Sequence, residues 1–236
     1  MNPRRRTKLG RTLAVTVALG GLATAGESLA AGPPTKVQAK AYAKAVNLKT
    51  GDIPGFKTGS VSKTTAADKK EGAASARCAG GVDPNRAVLD VNSPDFTGKS
   101  GIVEQDISSE VEVLPSAALV AKDLAAVKTS RGKKCVERSL QKEFAAMKIA
   151  GVKFGKVSLQ STSLPAEGAS GSFAIRLTIP ATIHGEKIPY YADFLAFTLG
   201  QSEVTLSALG FGAPVSGSDE QGLFSLLLRR AEAATL

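Results

Sequence analysis

Tryptophan is absent from this 236-residue chain, histidine occurs once, and there are only two cysteines and three tyrosines. Each scarcity excludes something. One histidine cannot build a multi-histidine metal centre, and it leaves a Ser–His–Asp triad a single candidate. Two cysteines make neither a zinc ribbon nor a disulfide-dense miniprotein. Without tryptophan, and with aromatic residues at 5%, there is no basic-plus-aromatic surface on which nucleic-acid bases would stack, so nucleic acid is not an expected partner. Acidic residues are also outnumbered, 21 against 30 basic ones, for a formal charge of +9. Apolar residues, at 43%, are too frequent for a disordered chain, and the length suits one ordinary domain with extras.

The excess of positive charge is concentrated at the start. Arg4, Arg5, Arg6, Lys8 and Arg11 precede an uncharged, mostly apolar run over residues 12–25. Small residues follow at the positions a signal peptidase reads, around Ala23 and Ala25 and again around Ser28 and Ala30. This is the pattern of a secretory signal over residues 1–30. A membrane span needs roughly 20 apolar residues, and this run is shorter. Arg5-Arg6 suggests a twin-arginine signal, but the residues after it fit poorly, so the export route stays open. No cysteine follows the apolar run, which argues against a lipid anchor and leaves an uncleaved signal or surface association as the routes to a membrane. The expected location is secreted or extracytoplasmic, in the cell envelope. Removing five basic residues and Glu27 with the signal leaves a mature charge of +5.

Export also bears on the thiols. Outside the cytoplasm a pair of thiols tends to oxidise, and Cys78 and Cys135 can pair only with each other. They lie 57 positions apart, and closing a loop of that size stabilises by roughly 4 kcal/mol in the chain-entropy account. There is no C-x-x-C to suggest a redox pair.

After the signal, residues 31–46 are Ala/Lys-rich and read as helical, with Lys36, Lys40 and Lys44 on one face. That stripe is a solvated face or, on a sharper reading, an anion-binding stripe for envelope polymers or lipid headgroups. Residues 47–59 are turn-rich, and residues 60–72 read as a loop. A short helix carrying Cys78 ends at Gly80-Gly81. Residues 102–114 alternate, with Val103, Ile107, Val111 and Val113 opposite Glu104, Asp106, Ser108, Glu110 and Glu112, which is a half-buried strand. Ser116 caps a helix striped by Val120, Leu124 and Val127, which Gly132 ends. A second helix over residues 133–147 carries Cys135 in its first turn. Strands follow at 152–161, 173–179, 188–199 and 203–209. Ser218 and Gln221 then read as the capping box of a last helix. Consecutive strands imply antiparallel pairing, so the fold class is α+β, an antiparallel β-sheet with helices packed on its faces. Residues 47–236 form one domain.

Four stretches resemble a known group: residues 47–56 (NLKTGDIPGF), Cys78-x-Gly80-Gly81 before Ser93-Pro94-x-Phe96, Ser109-x-Val111 leading to the helix with Cys135, and Ala192-Asp193-Phe194 followed by Gly200. Together they resemble secreted sensor-like proteins of actinobacteria, which include the extracellular domains of PknH-type receptor kinases and LpqN-type lipoproteins. The resemblance covers about residues 47–234. It implies a PsbP-like fold and a non-catalytic binding or sensing module, and it transfers no catalytic residue. The chain departs from the group in lacking a kinase segment and a lipobox cysteine, and in having one cysteine pair where the kinase sensors have two.

Catalytic motifs fare badly. Residues 60–63 match S-x-x-K, and residues 49–51 and 57–59 match K-T-G, but the order and spacing are wrong for a penicillin-recognising enzyme. His184 falls at a hairpin tip. The acidic stripe of residues 104–112 is a wet sheet face, or one covered by cations such as Lys156 and Arg176. Oxygen ligands of this kind suit Ca²⁺, but no metal and no cofactor is expected. Asp193 stands in a strand that reads as buried, so it needs a partner. The expected role is a structural ion pair. The alternative is a ligand-binding group formed by Asp193, Tyr191 and Arg176. The function expected is that of an exported, non-catalytic, monomeric envelope module that binds a molecule or protein. A secreted hydrolase with a carboxylate site, and a purely structural envelope protein, are the alternatives.

Overall fold

The computed structural model describes residues 32–101, 103–146, 151–183 and 185–236. The expected signal and His184 lie outside the described residues. Helix α1 (Lys36–Val46) starts at Thr35, whose hydroxyl accepts the Gln38 N–H while the Gln38 side chain accepts the Thr35 N–H. That reciprocal cap fixes the helix start. Ala39, Tyr42, Ala43 and Val46 form its buried stripe, and Lys36, Lys40 and Lys44 stay on the exposed side.

Strand β1 (Lys57–Val61) and helix α2 (Ala66–Ala79) occupy much of the stretch expected to be a loop. The helix is announced by a capping box at Thr65 and Asp68 rather than by an apolar stripe, because it buries only Ala73, Ala76 and Ala79. It ends, as the sequence suggests, at Gly80, whose φ of +87° is left-handed and favours glycine. Strands β2 (Leu89–Asn92) and β3 (Pro94–Ser100) lead into β4 (Val103–Val113).

Helix α3 (Ala117–Lys128) ends at Thr129, not at Gly132, and Cys135 lies in the second turn of α4 (Ser130–Ala146). Thr129 is extended, and its hydroxyl donates to the Ala126 carbonyl (2.6 Å) while accepting the Gly132 N–H (2.9 Å). A Cβ at Gly132 would run into the Ala126 carbonyl, so glycine serves the close approach of the two helices rather than a stop. The expected strand 152–161 divides into β5 (Val152–Phe154) and β6 (Ser158–Thr162). Then come β7 (Gly171–Ile183), β8 (Glu186–Leu199), β9 (Ser202–Phe211) and α5 (Gly217–Ala233). The cap of α5 is Ser216, which accepts the Asp219 N–H, so the frame lies two residues before the expected one.

The strands form one antiparallel sheet in the order β1-β3-β4-β9-β8-β7-β5, with β2 also paired to β4 and β6 to β7. Helices α1 and α5 cover one face, burying Leu195, Phe197, Val204, Leu206 and Phe224. Phe197 and Phe224 meet edge to face at 5.4 Å. Helices α2, α3 and α4 cover the other, over Ile175, Leu177, Ile179, Ala192 and Phe194. The α+β class follows, with an antiparallel sheet between helical layers. Helix α1 buries its stripe in the same core as α5, so the Ala/Lys-rich segment belongs to the packed domain.

The Cys78–Cys135 bond joins α2 to α4 across a Cα separation of 5.9 Å. With so little apolar area of its own, α2 depends on that tether. Replacing both cysteines with alanine is expected to cost up to about 4 kcal/mol by urea unfolding, with the amides of α2 losing hydrogen-exchange protection before those of α4. Equal protection in the two helices would contradict this.

Candidate functional site

The polar side of β4 is where the structure departs furthest from a wet sheet face. Its outer end behaves as expected: Glu104 pairs with Lys99 at 3.0 Å, and Asp106 accepts the Thr97 hydroxyl at 2.7 Å. Toward the middle of the layer there is no such relief. Glu112 stands opposite Asp90 of β2 on one side and Glu203 of β9 on the other. Glu110 lies two residues back on the same face, and Asp123 reaches down from α3. Glu112, Asp123 and Glu203 are 8%, 1% and 6% exposed. Lys156 and Arg176 do not cover this stripe, contrary to expectation. Lys156 lies in the β5–β6 connection and Arg176 on the opposite face of the sheet.

Carboxyl groups packed together away from water hold their protons to higher pH. Burial is the largest influence on Glu110, and the Asp90 charge, a hydrogen bond with Asp90 and the Glu112 charge add to it, so its pKa lies well above the ordinary range. Burial, then Asp123 and Asp90, raise Glu112 in the same way. Burial, then Asp123, Glu112 and Glu110, raise Glu203. Burial pushes Asp123 up to about 6, against the Val82 N–H that it accepts and the nearby Lys122. Asp123 Oδ2, Glu203 Oε1 and Asp90 Oδ1 have no hydrogen-bond partner among the described residues.

The cluster opens to solvent through Asp90. A cavity of about 600 Å³ lies beside β2, with Lys36 of α1, Lys63 and Lys69 at its rim and Thr64, Asn92 and Asp90 in its wall. Thr64 donates to Asp90 Oδ2 at 3.1 Å, and the Asn92 amide donates to the Ser62 carbonyl at 3.3 Å. Three ammonium groups above hydroxyl and amide groups suit a ligand that has both an anionic group and hydroxyls. Among the described residues, no group of three or more His, Cys, Asp or Glu side chains is arranged to hold a metal ion.

The residues read from the sequence as a ligand group lie on the α5 face. Arg176 and Asp193 are register partners on β7 and β8, joined by two hydrogen bonds of 2.6 and 2.9 Å. Tyr191 is half-buried on the same face. Glu220 of α5 completes the cluster, with Oε2 3.6 Å from the guanidinium. Burial, then the Asp193 charge and hydrogen bond, push Glu220 up to about 8 against the pull of Arg176. Glu220 is therefore a neutral acid at pH 7, and Asp193 balances Arg176. Neither described cavity includes these residues. Asp123 and Glu220 were within reach of sequence reasoning, since each falls on the apolar stripe of its helix, next to Val120 and Leu124 or three residues before Leu223. Asp90 and Glu203 carry no such signal.

An acid with a higher pKa folded than unfolded stabilises below its unfolded value, and the benefit is lost as pH rises through the folded value. Glu110, Glu112, Asp123 and Glu203 all shift upward, so stability should fall as pH rises above about 4. Asp123 alone, moving from 3.8 to about 6, accounts for about 3 kcal/mol at roughly 1.4 kcal/mol per unit. Urea unfolding should show the chain less stable at pH 8 than at pH 5, and Glu112→Gln with Glu203→Gln should flatten that slope. On the opposite face, Asp193→Asn should cost about 2 kcal/mol, moderated because Arg176 is 42% exposed and Glu220 can then ionise beside it. A smaller loss at pH 8 than at pH 5 would show that exchange of partners.

No protein-family model matches the chain, and no curated protein matches it. Among solved structures, the extracellular domain of PknH from Mycobacterium tuberculosis is similar over 85% of this chain and 98% of that one, at 11% identity and a TM-score of 0.38. At that level the likeness carries no argument about family or ligand, and the functional reading rests on the chain's own residues.

Proposed function

We propose that the chain is an exported binding module of the cell envelope, and that the cavity over Asp90 takes a small ligand with an anionic group beside hydroxyls, such as a phosphorylated sugar. The observation that carries this reading is the composition of the cavity: Lys36, Lys63 and Lys69 around Thr64, Asn92 and Asp90. Cations at a half-enclosed rim attract and orient an anion, and the hydroxyl and amide groups below can read a sugar. Export is supported by the signal-like residues 1–30 and by the Cys78–Cys135 bond.

One observation favours a second, hydrolytic reading. Asp90 of the cavity wall lies beside Glu110 and helps raise its pKa, an arrangement that resembles the paired carboxylates of some acid–base sites. Against it, only Asp90 of the two lines the cavity, and a hydrogen-bonded pair is closer than the roughly 5 Å or more that separates the carboxyls of glycosidases.

Thermal melting with sugar phosphates and with their neutral parent sugars tests the proposal. A ligand present at about 100 times its Kd stabilises by about 2.7 kcal/mol, which is a rise of about 5–10 °C for a domain of this size. The sugar phosphates should raise the melting temperature, the neutral sugars should not, and Lys63→Ala with Lys69→Ala should abolish the rise. No shift with any phosphate would remove the ligand reading. Turnover of a phosphorylated or glycosidic probe that Asp90→Asn abolishes would replace it with the hydrolytic one.

A further inference from the structure

A second cationic surface lies on the opposite face of the sheet from α1, and nothing in the cavity reading requires it. Lys134, Arg138 and Lys142 recur every four residues along α4, and all three are exposed. An α-helix rises roughly 1.5 Å per residue, so successive charges stand about 6 Å apart in a line about 12 Å long. Lys156 faces the same space. Together they border a groove of about 810 Å³ between α4 and the β5–β6 connection, floored by Phe154 and Ala145.

Two features distinguish this groove from an ordinary solvated helix face. The first is that its far wall is fixed. Gln141 of α4 accepts the Val157 N–H at 2.8 Å and donates to the Gly155 carbonyl at 3.4 Å, which pins residues 155–157 against the helix and holds Lys156 at the groove. Phe154 packs on Phe144 with ring centroids 5.2 Å apart, so the floor is set as well. The second is that the charges are uncompensated. Like charges at i and i+4 destabilise a helix, and among the described residues none of the four cations has an ion-pair partner. Glu137 is the one described acid along the groove. A regular line of cations on a preformed groove is complementary to a linear anion with a matching charge repeat, not to a single compact one.

We infer that the α4 groove binds a linear phosphodiester polymer of the envelope, a polyol-phosphate chain whose successive phosphates meet Lys134, Arg138 and Lys142 while Lys156 closes over them. Arg138, in the middle, can grip a phosphate through two parallel hydrogen bonds. The apolar floor accepts the carbon backbone between phosphates. This surface is independent of the cavity over Asp90 and holds or fails without it.

The probe is a fluorescent glycerol-phosphate hexamer, titrated by anisotropy against the mature protein with its disulfide intact. Four phosphate contacts predict an affinity loss of up to about 50-fold between 50 and 200 mM salt. Lys134→Glu, Arg138→Glu and Lys142→Glu together should weaken binding at least 100-fold while leaving the thermal melt unchanged, because all three side chains are exposed. Arg138→Lys should cost more than Lys142→Arg. Two control variants should bind normally: Lys63→Ala with Lys69→Ala in the cavity, and Lys36→Ala, Lys40→Ala and Lys44→Ala on α1. Loss of the sugar-phosphate shift with hexamer binding intact would remove the cavity reading and leave this one standing. Hexamer binding that survives the α4 reversal, glycerol phosphate monomer binding as tightly as the hexamer, or binding only to vesicles containing phosphatidylglycerol would each overturn the inference.

Discussion

Covering both faces of one sheet with helices removes water from alternate residues of every central strand, whatever those residues are. For most of β8 the consequence is ordinary, because apart from Asp193 and Thr198 its buried residues are apolar on both sides. For β4 it is not. One side supplies Ile107, Val111 and Val113 to the core under α1 and α5. The other presents Glu110 and Glu112 to the layer formed by α2 and α3, where β2, β9 and α3 add Asp90, Glu203 and Asp123. Charged carboxylates in that arrangement would repel one another without solvent to screen them. Protonation relieves the conflict, so the packing of the sheet decides the charge state of its acids. The cluster meets solvent at half-buried Asp90 and Glu110, and the cavity forms against Asp90.

The same geometry explains what the motif around residues 47–56 does. The chain leaves α1 at Asn47 and must cross to the sheet edge while burying polar backbone. Ser109 of β4 accepts the Leu48 N–H at 2.9 Å and donates to Asn47 Oδ1 at 2.8 Å, and the Asn47 amide donates to the Val91 carbonyl at 2.9 Å. Ser93 joins the network by accepting the Ser109 N–H at 2.8 Å. From α5, Arg230 donates to the Asn47 carbonyl and holds Asp52 through two bonds of 2.6 and 2.8 Å. The polar groups of Asn47, Leu48, Ser93 and Ser109 at this crossing thereby find partners, as a buried crossing requires. Asn47, Ser93 and Ser109 all come from the stretches that carry the sequence resemblance, and here they serve architecture.

What the sequence made legible follows the strength of the apolar period. β4, β7, β8 and β9 alternate or run apolar for ten residues or more, and each reads as a strand. β1, β2 and β3 are short and rich in Gly, Pro, Ser and Asp, and hydrogen bonds to longer neighbours hold them rather than their own pattern. Of helix α2 only the end that carries Cys78 and stops at Gly80 is legible, because alanines and a disulfide rather than an apolar stripe attach the rest. The candidate site was half legible. The acidic stripe shows its spacing, but spacing cannot say whether a strand face will be wet. That depends on α3 landing over it, a long-range event. Arg176 and Asp193 stand on separate strands and become partners only through the register of β7 with β8.

The buried acids also alter the surface that a partner meets. Formal counting gives residues 31–236 a charge of +5 by assigning each carboxyl a full negative charge. Glu110, Glu112, Glu203 and Glu220 all have raised pKa values. Each carboxyl that holds its proton to higher pH moves the net charge in the positive direction. The lysines and arginines are not similarly withdrawn: those of α1, α4 and the cavity rim remain in solvent and charged. A chain that looks only mildly basic in composition therefore presents a more cationic exterior, with its raised-pKa acids packed between sheet and helices. Long-range attraction of anions follows from that separation. It strengthens as pH falls, because acidification neutralises further carboxyls while the lysines and arginines keep their charge.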